Sequence, residues 1–250
     1  MSATHPTAAA GFGRAADAYE RGRPGYPLEA VSYLASQLGL AAGATVLDLA
    51  AGTGKLTRML TQTGAKVIAV EPVEAMRSVL AAALPGVDVR EGAAEAIPIA
   101  AGGVDAITVA QAFHWFDAEP ALAEIHRALR PGGGLGLIWN AFDTSVDWVA
   151  AVQALVHIHR RGEPQYGNSE WRETLEASGS FGPIAERTFG LVQELDTDGL
   201  VARIGSTSYI ATLPHADREQ LFHEIRALVA DLPRPLRLPY RTDAFVTRAV

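Results

Sequence analysis

Two carboxylates and a pair of glycines are the residues whose types and order can do chemistry: Asp48, Gly52, Gly54 and Glu71. The glycines lie in the stretch TVLDLAAGTGK (45–55), where they permit a backbone that a Cβ would obstruct. A turn that leads into a helix aims free N–H groups at a ligand. Glu71 closes the next apolar run, AKVIAV, and Pro72 follows at once. A carboxylate at the end of a second strand can accept hydrogen bonds from both hydroxyls of a ribose. Asp48 disfavours a pyrophosphate nearby and favours a positive centre such as a sulfonium or ammonium. The pair therefore suggests a nucleoside ligand.

A lone G-x-G also fits a plain tight turn, so the neighbourhood decides. A phosphate-binding P-loop needs glycine at 49 and Ser or Thr at 56, where the chain has Leu49 and Leu56. A dinucleotide fingerprint needs a third glycine at 57, where Thr57 stands. Both the missing glycine and Asp48 count against a nicotinamide-dependent oxidoreductase. The elements that must carry these residues are a buried strand through Val46, Leu47 and Leu49, a glycine turn, and a helix opened by Leu56, Met59 and Leu60.

At this point D-x-A-x-G-x-G, with an acid closing the second strand, resembles the class I S-adenosylmethionine-dependent methyltransferases, of the type 11 domain. The similarity extends through EGAAEAIPI, VDAITVAQAFHWF and LRPGGGLGLIW, over roughly residues 11 to 140. The segment Phe12, Ala16, Tyr19, Arg23, Pro24, Tyr26, Pro27 is similar to an F-x-x-x-A-x-x-Y-x-x-x-R-P-x-Y-P arm found in a small-molecule subgroup. The resemblance implies S-adenosyl-L-methionine as cofactor, with contacts from Ala50, Gly52, Gly54, Glu71 and Pro72. The arm can cover the cofactor, with Arg23 pairing a carboxylate and Tyr19 or Tyr26 closing the pocket; a plain packing arm is the alternative, and the resemblance favours a functional role for Tyr19 and Arg23. Many relatives carry Asp at position 93, to accept from the adenine amine. Ala93 cannot, so the backbone of Ala93 and Ala94 is expected to read the base, with Glu95 either a second contact or a solvated helix start.

After the strand Val104–Ala110, the run Gln111–Phe116 should border the reacting centre, because ligands of doubly wound sheets lie beyond the carboxyl ends of strands. Gln111 has the length to reach the amino-acid end of the cofactor. Phe113, Trp115, Trp139 and Tyr209, with Tyr26, are candidates for an acceptor pocket, while core packing is the other reading of these rings. His114, between aromatics, is a candidate base; a hydrogen-bonded structural histidine is the alternative. His157 and His159, two apart, do not share a helical face, so no metal site is expected.

Helix and strand signals alternate up to about residue 140, which implies a parallel sheet. The expected fold is α/β: a doubly wound, Rossmann-like sheet of seven strands, mostly parallel, with an antiparallel last strand and a helical cap over the acceptor pocket. The chain 1–250 reads as a single domain: arm 11–27, cofactor-binding core 28–140, helical insertions 141–180 and 196–232, and terminal strands 181–195 and 236–250. Strands are expected at Leu135–Asn140 and at Ala244–Thr247 or beginning earlier in 236–250, and one helix over Asp198–Ala211.

The 250 residues carry no cysteine, which excludes disulfides and thiolate chemistry. With 21 basic against 28 acidic residues the net charge is −7, and no basic stretch marks a nucleic-acid footprint. No run suggests a leader or a membrane span. The expectation is a cytoplasmic enzyme, monomer or homodimer, that methylates a small-molecule acceptor on O, N or C. The rival from another class is a module that binds the cofactor without turnover and serves regulation.

Overall fold

The computed structural model describes residues 22–160, 167 and 170–250. Its strands are β1 (Thr45–Leu49), β2 (Lys66–Val70), β3 (Asp88–Arg90), β4 (Val104–Ala110), β5 (Leu129–Phe142), β6 (Ala185–Leu195) and β7 (Leu236–Arg248). They form one sheet in the order β3-β2-β1-β4-β5-β7-β6. Pairing is parallel from β3 to β5, and β7 runs antiparallel between β5 and β6. The doubly wound, mostly parallel fold expected from the sequence is therefore the observed one.

Central parallel strands are covered on both faces and so read as continuous apolar runs. Accordingly, residues 46–49 of β1 and 67–70 of β2 are all buried. Alternate side chains feed two cores. Leu47, Ile68 and Ile107 point to one, and Val46, Val67 and Ala106 to the other. At the edge, β6 alternates exposed and half-buried residues over 189–195.

The helices are α1 (Leu28–Leu38), α2 (Lys55–Leu60), α3 (Glu74–Ala83), α4 (Ala118–Ala128), α5 (Asp147–His157), α6 (Glu170–Ala177), α7 (Thr197–Gly205), α8 (Ser208–Ala211) and α9 (His215–Leu228). Helix α1 sets Leu34 and Leu38 against the middle of β5, where glycines make the room. A Cβ at Gly134 would lie 2.5 Å from a Leu38 methyl, and one at Gly136 would lie 2.9 Å from the other. The glycine run reads as a helix stop in the sequence, yet it is strand: β5 starts at Leu129. β7 begins at Leu236, within the expected terminal segment 236–250 and at the earlier of the two expected starts.

Helices α5, α7, α8 and α9 share a third core with Leu236, Leu238 and Tyr240 of β7, and so stand on the end of the sheet. Helix α6 behaves differently. Its Trp171 packs against Trp139 and edge-to-face on Phe245, ring centroids 5.0 Å apart in both cases, so α6 joins the sheet's own core rather than the cap. The single helix expected over 198–211 breaks into α7 and α8 at Ser206–Thr207.

Candidate active site

The sheet's strand order reverses between β1 and β4, and both strands leave the sheet there in a conformation unusual for residues with a Cβ. Ala50 follows β1 with φ 56° and Gln111 follows β4 with φ 59°. Left-handed backbone at non-glycine residues is strained and gathers at functional sites. Gly54, φ 88°, closes the turn, and a Cβ there would meet Leu80 Cγ of α3 at 2.9 Å. Close packing between turn and helix therefore requires this glycine.

The two acids of the sequence pattern lie on either side of that turn. Glu71 is 4% exposed. Its Oε2 accepts from the Gly52 N–H at 2.8 Å, and its Oε1 accepts from the Val73 N–H at 2.8 Å. Burial raises its pKa, while those amides and the Arg77 guanidinium oppose the rise. Each carboxylate oxygen keeps a lone pair for a further donor. Arg77 also donates to the carbonyls of Glu71 and Pro72, at 2.9 and 3.1 Å, which fixes the strand end.

Asp48 does not line the cavity as a ligand contact would. It is 0% exposed, and its two oxygens accept the hydroxyls of Thr57 (2.6 Å) and Thr108 (3.1 Å). Burial pushes its carboxyl up to about 6, against the two threonine hydrogen bonds, with Glu71 adding to the rise. Its charge can reach a ligand only through space, from beneath the turn.

A cavity opens over the carboxyl ends of β1, β4 and β5, bordered by Arg23, Tyr26, Gly52, Gln111, Asn140 and Arg203 among others. Gln111 donates its amide to the Asn140 carbonyl (3.1 Å). Asn140 in turn donates to the Gly25 carbonyl (2.8 Å) and accepts from Thr242 Oγ1 (2.6 Å). Arg23 donates to the Ser206 carbonyl (3.0 Å) and hydroxyl (3.3 Å), and Gln193 donates to the Gly22 carbonyl (3.1 Å). Residues 22–26 are thus tied to β5, β6 and the cap across one wall of the cavity. Tyr19 lies outside the described residues.

Other expected site residues sit elsewhere. Phe113 and Trp139 are core residues, 1% and 0% exposed, because they pack with Trp171 rather than face the cavity. Their assignment to the acceptor pocket is corrected accordingly. Tyr209, on α8, packs against the cap's own core. Trp115 is half-buried, its ring 5.1 Å from that of His114. Glu95 accepts from the Asp117 N–H at the start of α4 (3.0 Å), while Ala93 bridges to Ala96 and Ala94 is buried.

His114 Nδ1 accepts from Trp139 Nε1–H at 3.3 Å. That lone pair is occupied, which leaves the neutral ring with its proton on Nε2. Burial, then Arg160 and Arg23, push the imidazole down to about 3. Such a ring is neutral and a poor proton acceptor near neutral pH.

Sequence reasoning missed Asn140, Ser206 and Arg203. Asn140 and Ser206 carry no signal beyond their polarity. Arg203 has one: it occupies the buried stripe of α7 with Leu200 and Ile204, where an arginine interrupts an apolar face. Among the described residues no group of three or more His, Asp or Glu could hold a metal ion, and no helix is long and apolar enough to cross a membrane.

A sheet in this order, with a glycine turn after β1 and an acid at the end of β2, defines the class I methyltransferases. Residues 47–137 match the family described as a methyltransferase domain. An uncharacterized methyltransferase of Mycobacterium tuberculosis is 40% identical over 236 residues, 92% of this chain and 92% of the relative. An uncharacterized methyltransferase-like protein of Schizosaccharomyces pombe is 34% identical over 91% of each. Among solved structures, one from Anaeromyxobacter dehalogenans assigned as a type II methyltransferase matches with TM-score 0.66 and 25% identity, over 91% of this chain and 97% of that one. A Haemonchus contortus phosphoethanolamine N-methyltransferase, solved with S-adenosylhomocysteine, shares the fold at TM-score 0.59 and 14% identity, over 100% of this chain and 60% of that one. The chain belongs to the methyltransferase family, and its enzymatic class is S-adenosylmethionine-dependent methyl transfer.

Proposed function

We propose that this protein transfers a methyl group from S-adenosylmethionine to a small-molecule acceptor held in the cavity over β1, β4 and β5. The observation that carries the reading is Glu71. It is a buried carboxylate at a strand end, oriented by the Gly52 and Val73 amides and still able to accept. That is the chemistry a ribose diol requires, so the residues present fit the cofactor.

When bound, the cofactor supplies a methyl carbon already activated by a sulfonium. The protein's task is to bind, orient and exclude water. Glu71 would take the ribose hydroxyls, and the backbone of Ala93 and Ala94 the base. Gln111, held by Asn140, would meet the amino-acid end. Residues 22–26 and α7 wall the cavity from solvent. Asp48 holds negative charge under the turn, where a cationic ligand gains and a neutral one does not.

His114 is best read as a positioning residue, since its Nδ1 lone pair serves Trp139 and its pKa lies near 3. No base is needed if the acceptor is a carboxylate or an amine with its own lone pair. The tether of residues 22–26 along the cavity wall supports a small acceptor.

Calorimetry tests the reading. The protein should bind S-adenosylmethionine and S-adenosylhomocysteine but not a nicotinamide dinucleotide. Glu71→Ala should weaken S-adenosylhomocysteine roughly ten-fold or more, as expected when a charged hydrogen-bond partner worth ~1.5–3 kcal/mol is lost. Unchanged affinity in that variant would remove Glu71 from the site and the reading with it.

A further inference from the structure

Arg203 is a buried charge without a counter-charge. On α7 it is 9% exposed and borders the cavity. Its Nε donates to the Tyr240 hydroxyl at 3.0 Å, and its guanidinium lies over the rings of Phe142 (4.9 Å) and Tyr240 (5.8 Å). No carboxylate pairs with it among the described residues. The Tyr240 hydroxyl is itself committed, donating to Gln193 Oε1 at 2.8 Å.

A guanidinium cannot shed its proton when buried, so desolvation must be met by partners. Aromatic faces meet part of it. The two terminal nitrogens keep four N–H donors with no protein acceptor among the described residues, in a planar fork that matches the two oxygens of a carboxylate. Arg23 borders the same cavity, and Lys55 a further part of its wall. Arg23 and Arg160 are also near enough to push His114 down. On a chain of net charge −7, this wall concentrates positive charge.

We infer that Arg203, with Arg23 beside it, is a subsite that receives a ligand carboxylate in the cavity of the proposed methyl transfer. The inference rests on that reading of the cavity. A carboxylate can arrive on the acceptor or on the amino-acid end of the cofactor, and the chemistry at Arg203 is the same in both cases. The guanidinium is held by the rings of Phe142 and Tyr240 and by the Tyr240 hydroxyl, so it is preorganised for an anion.

The test titrates S-adenosylhomocysteine and 5′-methylthioadenosine, which lacks the amino-acid end, into wild type, Arg203→Met and Arg203→Lys. Melting curves of the S-adenosylhomocysteine-loaded proteins are then recorded with a panel of mono-, di- and tricarboxylic acids and their amides. If the carboxylate is the cofactor's, Arg203→Met weakens S-adenosylhomocysteine about ten-fold or more and leaves 5′-methylthioadenosine unchanged. If it is the acceptor's, both nucleosides bind as in wild type, while at least one acid, and not its amide, raises the wild-type melting temperature and fails to do so in the variant.

Arg203→Lys keeps the charge without the fork and should lose most of whichever effect is seen; it serves alone if the methionine variant does not fold. The inference is overturned if neither nucleoside affinity nor any acid response depends on Arg203. A wild type that binds no S-adenosylhomocysteine would instead overturn the methyl-transfer reading. The subsite would then be judged by acid titration of the ligand-free protein, where a response independent of Arg203 refutes it.

Discussion

Replacing Asp48 by Asn should make the ligand-free protein more stable at pH 8 and leave it nearly unaltered at pH 4. The carboxyl is fully buried and pushed from 3.8 to about 6. A pKa raised on folding means that the native state holds the proton more tightly than the unfolded chain, so this group's contribution is most favourable below about pH 4 and declines as pH rises through 6. At about 1.4 kcal/mol per pH unit, the decline amounts to about 3 kcal/mol. Asn resembles the protonated acid, and its neighbours can adapt. Thr108 Oγ1 also lies 3.5 Å from the Leu47 carbonyl, so its hydroxyl can turn there and accept from the new amide. Chemical unfolding from pH 4 to 8 gives the assay. The variant-minus-wild-type difference should grow from near zero to as much as ~3 kcal/mol, or several degrees in melting temperature for a domain of this size. Taking the difference cancels His114, whose lowered pKa acts in the opposite sense by destabilising the native state as pH falls from 6.5 towards 3. A variant equally destabilised at both ends of the range would show that Asp48 holds the turn together rather than straining it.

The same variant should bind S-adenosylmethionine less well relative to S-adenosylhomocysteine, because only the former is a cation; an unaltered ratio in calorimetry would show that the Asp48 charge does not reach the ligand. Gly54→Ala should lower unfolding free energy by about 1–3 kcal/mol in a denaturant titration, combining left-handed backbone with a Cβ at 2.9 Å from Leu80; an unaffected midpoint would mean the turn relaxes freely. His114→Gln should remove part of the acid-induced instability between pH 6.5 and 3 while leaving the shape of the turnover–pH profile unchanged. Loss of an acid limb from that profile in the variant would restore His114 as a base.

What was legible in the sequence followed from how strongly each feature constrains its local chain. β1, the glycine turn and Glu71 show plainly, since buried parallel strands write continuous apolar runs and a tight turn admits little besides glycine. Phe113 and Trp139 misled because a ring near a strand end looks the same whether it faces a cavity or the core. Only Trp171, arriving from α6 far along the chain, decides that both face inward. Asp48 misled in a related way. Its carboxyl does lie beneath the glycine turn, but two threonine hydroxyls, one of them on a neighbouring strand, seal it from contact.

Arg203 shows where the remaining information lies. Within α7 it reads as one charged residue on a short amphipathic helix, and long charged side chains on such faces ordinarily reach solvent. What prevents this one from doing so is supplied by three separate stretches. Phe142 ends β5, Tyr240 lies in β7, and Gln193 of β6 takes the tyrosine hydroxyl. No local pattern brings these together, because their meeting depends on β7 folding back between β5 and β6. The antiparallel insertion that completes the sheet is thus also what positions a cation over the carboxyl ends of the parallel strands. Specificity for an anionic group can therefore vary through the cap and β7 without altering the turn and the acid that define the family.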